Sequence, residues 1–171
     1  FLEKTFSALA GDNAAPQVYE FERRQDELFE LYLDGPPYKS SPTRFFGIYS
    51  LPDIPLESDR IEAGRVPAVV LIHGGGGSAY AEWVRRWNDA GFAAISIAVE
   101  GQTDVVADEN LRGRERWTSH DLGGPPRTGI YQDFAEPVSN EWMFHSVYAA
   151  IQANNFLRNQ NEIDPENIGV V

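Results

Sequence analysis

Apolar positions in the first third of the chain fall into two short runs, residues 28–33 ("LFELYL") and 43–50 ("TRFFGIYS"), divided by the cluster "DGPPYKSSP". Aromatic and aliphatic runs separated by Gly, Pro and Ser predict an antiparallel strand pair. Ahead of it, residues 1–27 mix a short helical pattern with a turn at Gly11-Asp12-Asn13, which marks them as an edge segment. The polar, Pro-rich stretch 51–67 reads as a surface loop.

From residue 68 the pattern changes to alternating strand and helix. Residues 68–72, "AVVLI", are continuously apolar, as a strand covered on both faces must be. After four glycines, Ser78 is placed to cap a helix in which Tyr80, Trp83, Val84 and Trp87 recur at helical spacing, and Gly91 stops it. A second buried strand, "FAAISIAV", runs to Glu100. Strand, helix and strand in sequence make a βαβ unit, whose right-handed crossover leaves the strands parallel. Residues 101–139 carry Gly113, Gly123-Gly124-Pro125-Pro126, Gly129 and Pro137, and read as one long irregular segment of the kind that is more often functional than idle. A helix follows with Phe144, Val147, Tyr148 and Ile151 on one face, then the turn "EIDPEN" and a third parallel strand from Ile168. The fold class is α/β, a mostly parallel sheet with antiparallel N-terminal strands.

Composition narrows the function classes. With 171 residues and 42% hydrophobic content the chain can build a core, and its net charge of −12 with scattered Lys and Arg argues against a nucleic-acid partner. No apolar run approaches the roughly 20 residues of a membrane span, so a membrane partner is not expected. The absence of cysteine excludes disulfides, thiolate metal sites and a Cys nucleophile. The chain opens at Phe1 without a signal-like segment, which points to a processed or trimmed N-terminus; a soluble protein is expected, secreted or periplasmic slightly favoured over cytoplasmic.

The chemistry centres on "AVVLIHGGGGSAYAEW", residues 68–83. A phosphate-binding loop needs a Lys directly after its glycines, and no Lys follows here. A dinucleotide fingerprint is met by Gly74, Gly76 and Ala79, with Glu100 ending the next strand where a ribose-binding acid would sit. Against it, an antiparallel pair precedes the unit, and the interval from Gly74 to Glu100 exceeds the usual figure of about 20 residues. The third reading starts at His73: H-G-G-G after a central strand is an oxyanion-hole signature, a backbone N–H aimed at a developing negative oxygen.

Other residues offer less. Ser119-His120-Asp121 has the types of a catalytic triad, but adjacent residues cannot form its relay. His120, Trp117 and Tyr131, all in the irregular segment, are candidates to line a substrate pocket; His145 reads as a packing histidine and His73 as a brace for the loop. His73, His120 and His145 show no metal-ligand spacing. The stripes Tyr80, Trp83, Trp87 and Trp142, Phe144, Tyr148 read as core.

On the segments "SSPTRFFGIYSLPD", "VPAVVLIHGGGGSAYAEWVRRWNDAGFAAISI" and "EWMFHSVYAAIQANNFLRNQNEIDPENIGVV", the chain resembles the N-terminal half of α/β hydrolases of the acetyl xylan esterase and dienelactone hydrolase type, related to prolyl oligopeptidase-like peptidases. The resemblance implies an incomplete α/β-hydrolase domain over residues 28–171 that ends just before the nucleophile elbow. It implies a serine-dependent hydrolase of small-molecule or carbohydrate esters whose serine, acid and histidine lie outside this chain. One oxyanion donor then comes from the loop 74–77, Gly75 first and Gly76 second, with His73, Gly74 and Gly77 shaping the substrate side, and no cofactor or metal is expected. A prolyl oligopeptidase-like peptidase, a dinucleotide-binding domain and an inert fragment remain as alternatives.

Overall fold

The computed structural model describes residues 14–53, 65–129 and 131–171. The helical pattern and the Gly11-Asp12-Asn13 turn, and most of the 51–67 loop, lie outside the described residues. Within them run β1 (Val18–Arg23), β2 (Phe29–Tyr38), β3 (Ser41–Ser50), β4 (Val66–Ile72), α1 (Ala81–Asp89), β5 (Ala93–Ile97), β6 (Gln102–Val106), β7 (Trp117–Ser119), α2 (Trp142–Arg158) and β8 (Ile163–Val170). Six of these strands form one sheet in the order β1-β2-β3-β5-β4-β8, and β6 pairs with β7 in a separate ribbon. The N-terminal part of the sheet is antiparallel, from β1 across to β5, and β5-β4-β8 is parallel.

The apolar run of β4 has the predicted cause. Ala68 and Val70 point to one face, where they join Leu31, Ile95, Ile97 and the α2 residues Ala149, Ala153, Phe156 and Leu157. Val69 and Leu71 point to the other, where they join Ile48, Ala94, Val84 and the flank of Trp87 from α1. With a helix on each face, successive residues of the central strand are all buried. This brings the C-terminal ends of β4 and β5 side by side, and the loops after them carry the site.

Several local expectations are corrected. The reversal between β2 and β3 is only Lys39-Ser40, both at positive φ (47° and 68°), while Pro36 and Pro37 sit within β2 at a register shift between Gly35 and Tyr38. A bulge tolerates proline because it relieves the ladder of one N–H. Ser78 does not cap α1: the helix starts at Ala81 with no side-chain cap, and the fully buried Ser78 hydroxyl donates to Thr103 O at 2.6 Å. Gly91 does end it, at φ 90°, its N–H donating to Asn88 O. Trp83 is not core but 37% exposed. The sheet-facing side of α2 is Ala149, Ala153, Phe156 and Leu157, and Val147 and Ile151 border a cavity instead. The third parallel strand begins at Ile163, its register jumping from Val66↔Ile163 to Ala68↔Ile168 so that the predicted turn bulges from within it. The segment 101–139 contains the β6–β7 ribbon, whose strands of five and three residues are too short to show periodicity.

Candidate active site

His73 follows β4 and is 6% exposed. Its Nε2 is 3.0 Å from the Val99 backbone nitrogen and its Nδ1 2.7 Å from Gly74 O. A backbone N–H can only donate, so Nε2 accepts and the proton rests on Nδ1, which donates to Gly74 O. Burial pushes the imidazole pKa down, holding it neutral. With both nitrogens engaged, His73 braces the loop.

The Gly74 carbonyl also accepts the Gly77 N–H at 3.0 Å. Two donors therefore fix this oxygen inward, and since a trans peptide sets its C=O and N–H in opposite directions, the Gly75 N–H of the same unit faces outward. Gly74 and Gly75 are exposed, and neither N–H has a hydrogen-bond acceptor among the described residues. The Gly76 N–H, by contrast, donates to Glu100 Oε1 at 2.9 Å. Trp117 Nε1 donates to Gly76 O at 3.2 Å, and the Gln102 side-chain amide donates to Gly77 O.

Two glycines are required by close approach. Gly76 has φ 78°, and a Cβ there would stand 2.5 Å from Gly113 Cα, backbone against backbone. A Cβ on Gly77 would meet His73 Cβ at 2.8 Å. Gly74 faces open space.

Behind the loop lies a buried charge. Glu100 is 3% exposed, with Arg127 Nη1 3.8 Å from its Oε1 and Arg114 Nε donating to its backbone carbonyl at 2.8 Å. A ribose-binding acid must face an open cleft, and this carboxylate instead anchors the glycine loop. Arg127 lies over the Trp142 ring at 5.2 Å, and Trp142 Nε1 donates to Val99 O at 2.8 Å. Beside His73 a cavity of about 550 Å³ opens between α2 and the ends of β4 and β8, lined by Ile72, Val99, Trp142, Val147 and Ile151.

The structure thus brings His73, Gly74, Gly75, Gly76, Gly77 and Trp117 together. It does not bring the others. The His120 ring packs edge-on against Tyr32 at 5.1 Å, Tyr131 is 68% exposed on a turn, and His145 is buried with Nε2 donating to Ser139 O. Glu100 as loop anchor and Arg127 as its neighbour were not legible as such, because both act across contacts distant in sequence. The one trace of Arg127 is an isolated cation in a Gly/Pro-rich segment. Among the described residues no group of three or more His, Asp or Glu could hold a metal, and no helix is long and apolar enough to cross a membrane.

Burial lowers the pKa of His73, His120 and His145 alike. The unfolded chain, with histidines near 6.5, then binds more protons than the folded one in weakly acidic solution. The histidine contribution to stability is complete above that pH and is lost as pH falls below it. Thermal unfolding followed by circular dichroism should show a lower Tm at pH 5 than at pH 7, with a shallower fall in His145→Gln.

No family model matches the sequence, and no curated protein matches it. Among solved structures, the chain is similar to an acetyl xylan esterase from a Paenibacillus species, at 20% identity and a TM-score of 0.66, over 99% of this chain and 49% of that one. It is similar also to an acetyl xylan esterase from a Thermoanaerobacterium species, at 17% identity and a TM-score of 0.66, over 98% of this chain and 49% of that one. The likeness is one of fold, and the chain spans about half the length of these structures.

Proposed function

We propose that the complete polypeptide is a serine-dependent carboxylic ester hydrolase of the carbohydrate-esterase type, to which this chain supplies the first half of the catalytic domain. The observation that carries the reading is the Gly75 N–H, without an acceptor among the described residues, on a loop in which the Gly74, Gly76 and Gly77 carbonyls and the Gly76 and Gly77 N–H groups are hydrogen-bonded. A donor held in place before the reaction needs no reorganisation as negative charge develops, which is what oxyanion stabilisation requires. The serine, from the half beyond this chain, attacks the ester carbonyl; a histidine takes its proton and passes it to the leaving alcohol. The tetrahedral oxyanion is held by the Gly75 N–H and by the N–H following the serine. The esterase fold of the two solved neighbours agrees with this role. On this reading the 171 residues by themselves are expected to be inert, the triad being supplied by the remainder of the polypeptide.

The test is an assay of the complete polypeptide with 4-nitrophenyl acetate, acetylated xylan and a peptide anilide, beside a fluorescence titration with NADH. Ester turnover without anilide cleavage or NADH binding is expected. Anilide cleavage in preference to ester turnover would assign a peptidase, and tight NADH binding a nucleotide domain.

A further inference from the structure

We propose that Arg127 forms an anion subsite beside Gly75, which selects esters bearing a carboxylate near the scissile bond. The inference rests on the ester hydrolase reading for the kind of molecule that carries the charge.

The guanidinium is laid directly on the glycine loop: a Cβ on Gly75 would fall 1.6 Å from Arg127 Nη1 and 2.6 Å from its Cζ. The cation therefore lies against the Gly75 Cα, next to the peptide that carries the Gly75 N–H. It makes no hydrogen bond to any described residue, and its Nε is buried without an acceptor. Its one ion-pair partner among the described residues, Glu100, stands at 3.8 Å, beyond hydrogen-bond distance, with Oε1 already accepting the Gly76 N–H. An arginine presents a planar fork of five donors suited to a carboxylate, and here that fork is stacked over Trp142, which limits its freedom.

Arg127 Nη1 stands 3.8 Å from the Glu100 carboxylate, and Arg114 Nε donates instead to the Glu100 backbone carbonyl. The Asp133 carboxylate accepts the Trp142 N–H at 2.6 Å.

The experiment uses the complete polypeptide and two charged esters with neutral counterparts. Mono-4-nitrophenyl succinate, against its methyl ester, places the carboxylate on the acyl side; 4-acetoxybenzoate, against its methyl ester, places it on the leaving group. In the native protein one charged ester should be preferred over its counterpart. In Arg127→Gln that preference ratio should fall at least tenfold, through KM, and Arg127→Lys should restore part of it. A ratio unchanged by Arg127→Gln, whether both rates fall or neither does, would overturn the subsite. If no ester is turned over, the hydrolase reading fails on its own, and calorimetric titration with succinate decides the subsite: binding lost in Arg127→Gln supports it, and no binding to the native protein overturns it.

Discussion

On the proposed reading, replacing Gly76 by alanine in the complete polypeptide should lower kcat/KM for 4-nitrophenyl acetate by about 10²–10³, the loss typical of removing one oxyanion donor, although the Gly76 N–H itself is held by Glu100. Alanine at φ 78° is strained by about 1–2 kcal/mol. Its methyl would also meet Gly113 Cα at 2.5 Å and Gly113 C at 3.1 Å, atoms that cannot rotate aside. The loop must shift, drawing the Gly76 N–H from Glu100 and its carbonyl from Trp117, and the adjoining Gly74–Gly75 peptide shifts with it. The neighbouring glycines provide the contrast. Gly74→Ala meets nothing within 4 Å, and Gly75→Ala meets the guanidinium of Arg127, a side-chain end that can shift where the Gly113 backbone cannot. The expected order of damage measured by steady-state kinetics is therefore 76, then 75, then 74. Near-native rates in Gly76→Ala would mean that the loop's conformation is irrelevant to turnover.

The second large effect is expected at Glu100. Its replacement by alanine leaves the Gly76 N–H without its acceptor and Arg127 without its counter-charge, a loss of about 2 kcal/mol if the stranded donor is not rehydrated. The same change frees the loop, and displacements of about 1 Å in a catalytic group can cost 10²-fold in rate. Glu100→Gln separates the two contributions, because the amide oxygen can still accept from Gly76 while the charge facing Arg127 is gone. Urea denaturation and kinetics on both variants are expected to place Gln between native and Ala in stability and in kcat. Equal damage from Gln and Ala would assign the anchor to charge alone.

These effects reside in contacts that no local pattern displays, which explains what the sequence could tell and what it could not. β4, the glycine loop, α1 and β5 are legible because each is a contiguous apolar or helical run punctuated by glycine. Gly91, for instance, ends α1 by its own backbone conformation. The face of α2 is not legible for a physical reason: apolar residues surround that helix, and the sheet takes the small Ala149 and Ala153, which allow close approach, rather than the larger Val147 and Ile151. Ser78 has the composition of a cap, yet its hydroxyl is claimed by Thr103 from another element. In sequence Glu100 is an acid at a strand end, and only the folded chain reveals that it turns back onto Gly76. Arg127 reaches the loop from a Gly/Pro-rich segment without periodicity.

If the Gly75 N–H is the oxyanion donor of an ester hydrolase, a covalent adduct will display the contact. A crystal structure of the complete polypeptide after reaction with diethyl 4-nitrophenyl phosphate should show one phosphoryl oxygen about 2.7–3.1 Å from Gly75 N, with the Gly76 N–H still on Glu100. An adduct whose oxygen is held elsewhere, with the Gly75 N–H facing solvent, would rule out Gly75 as the donor.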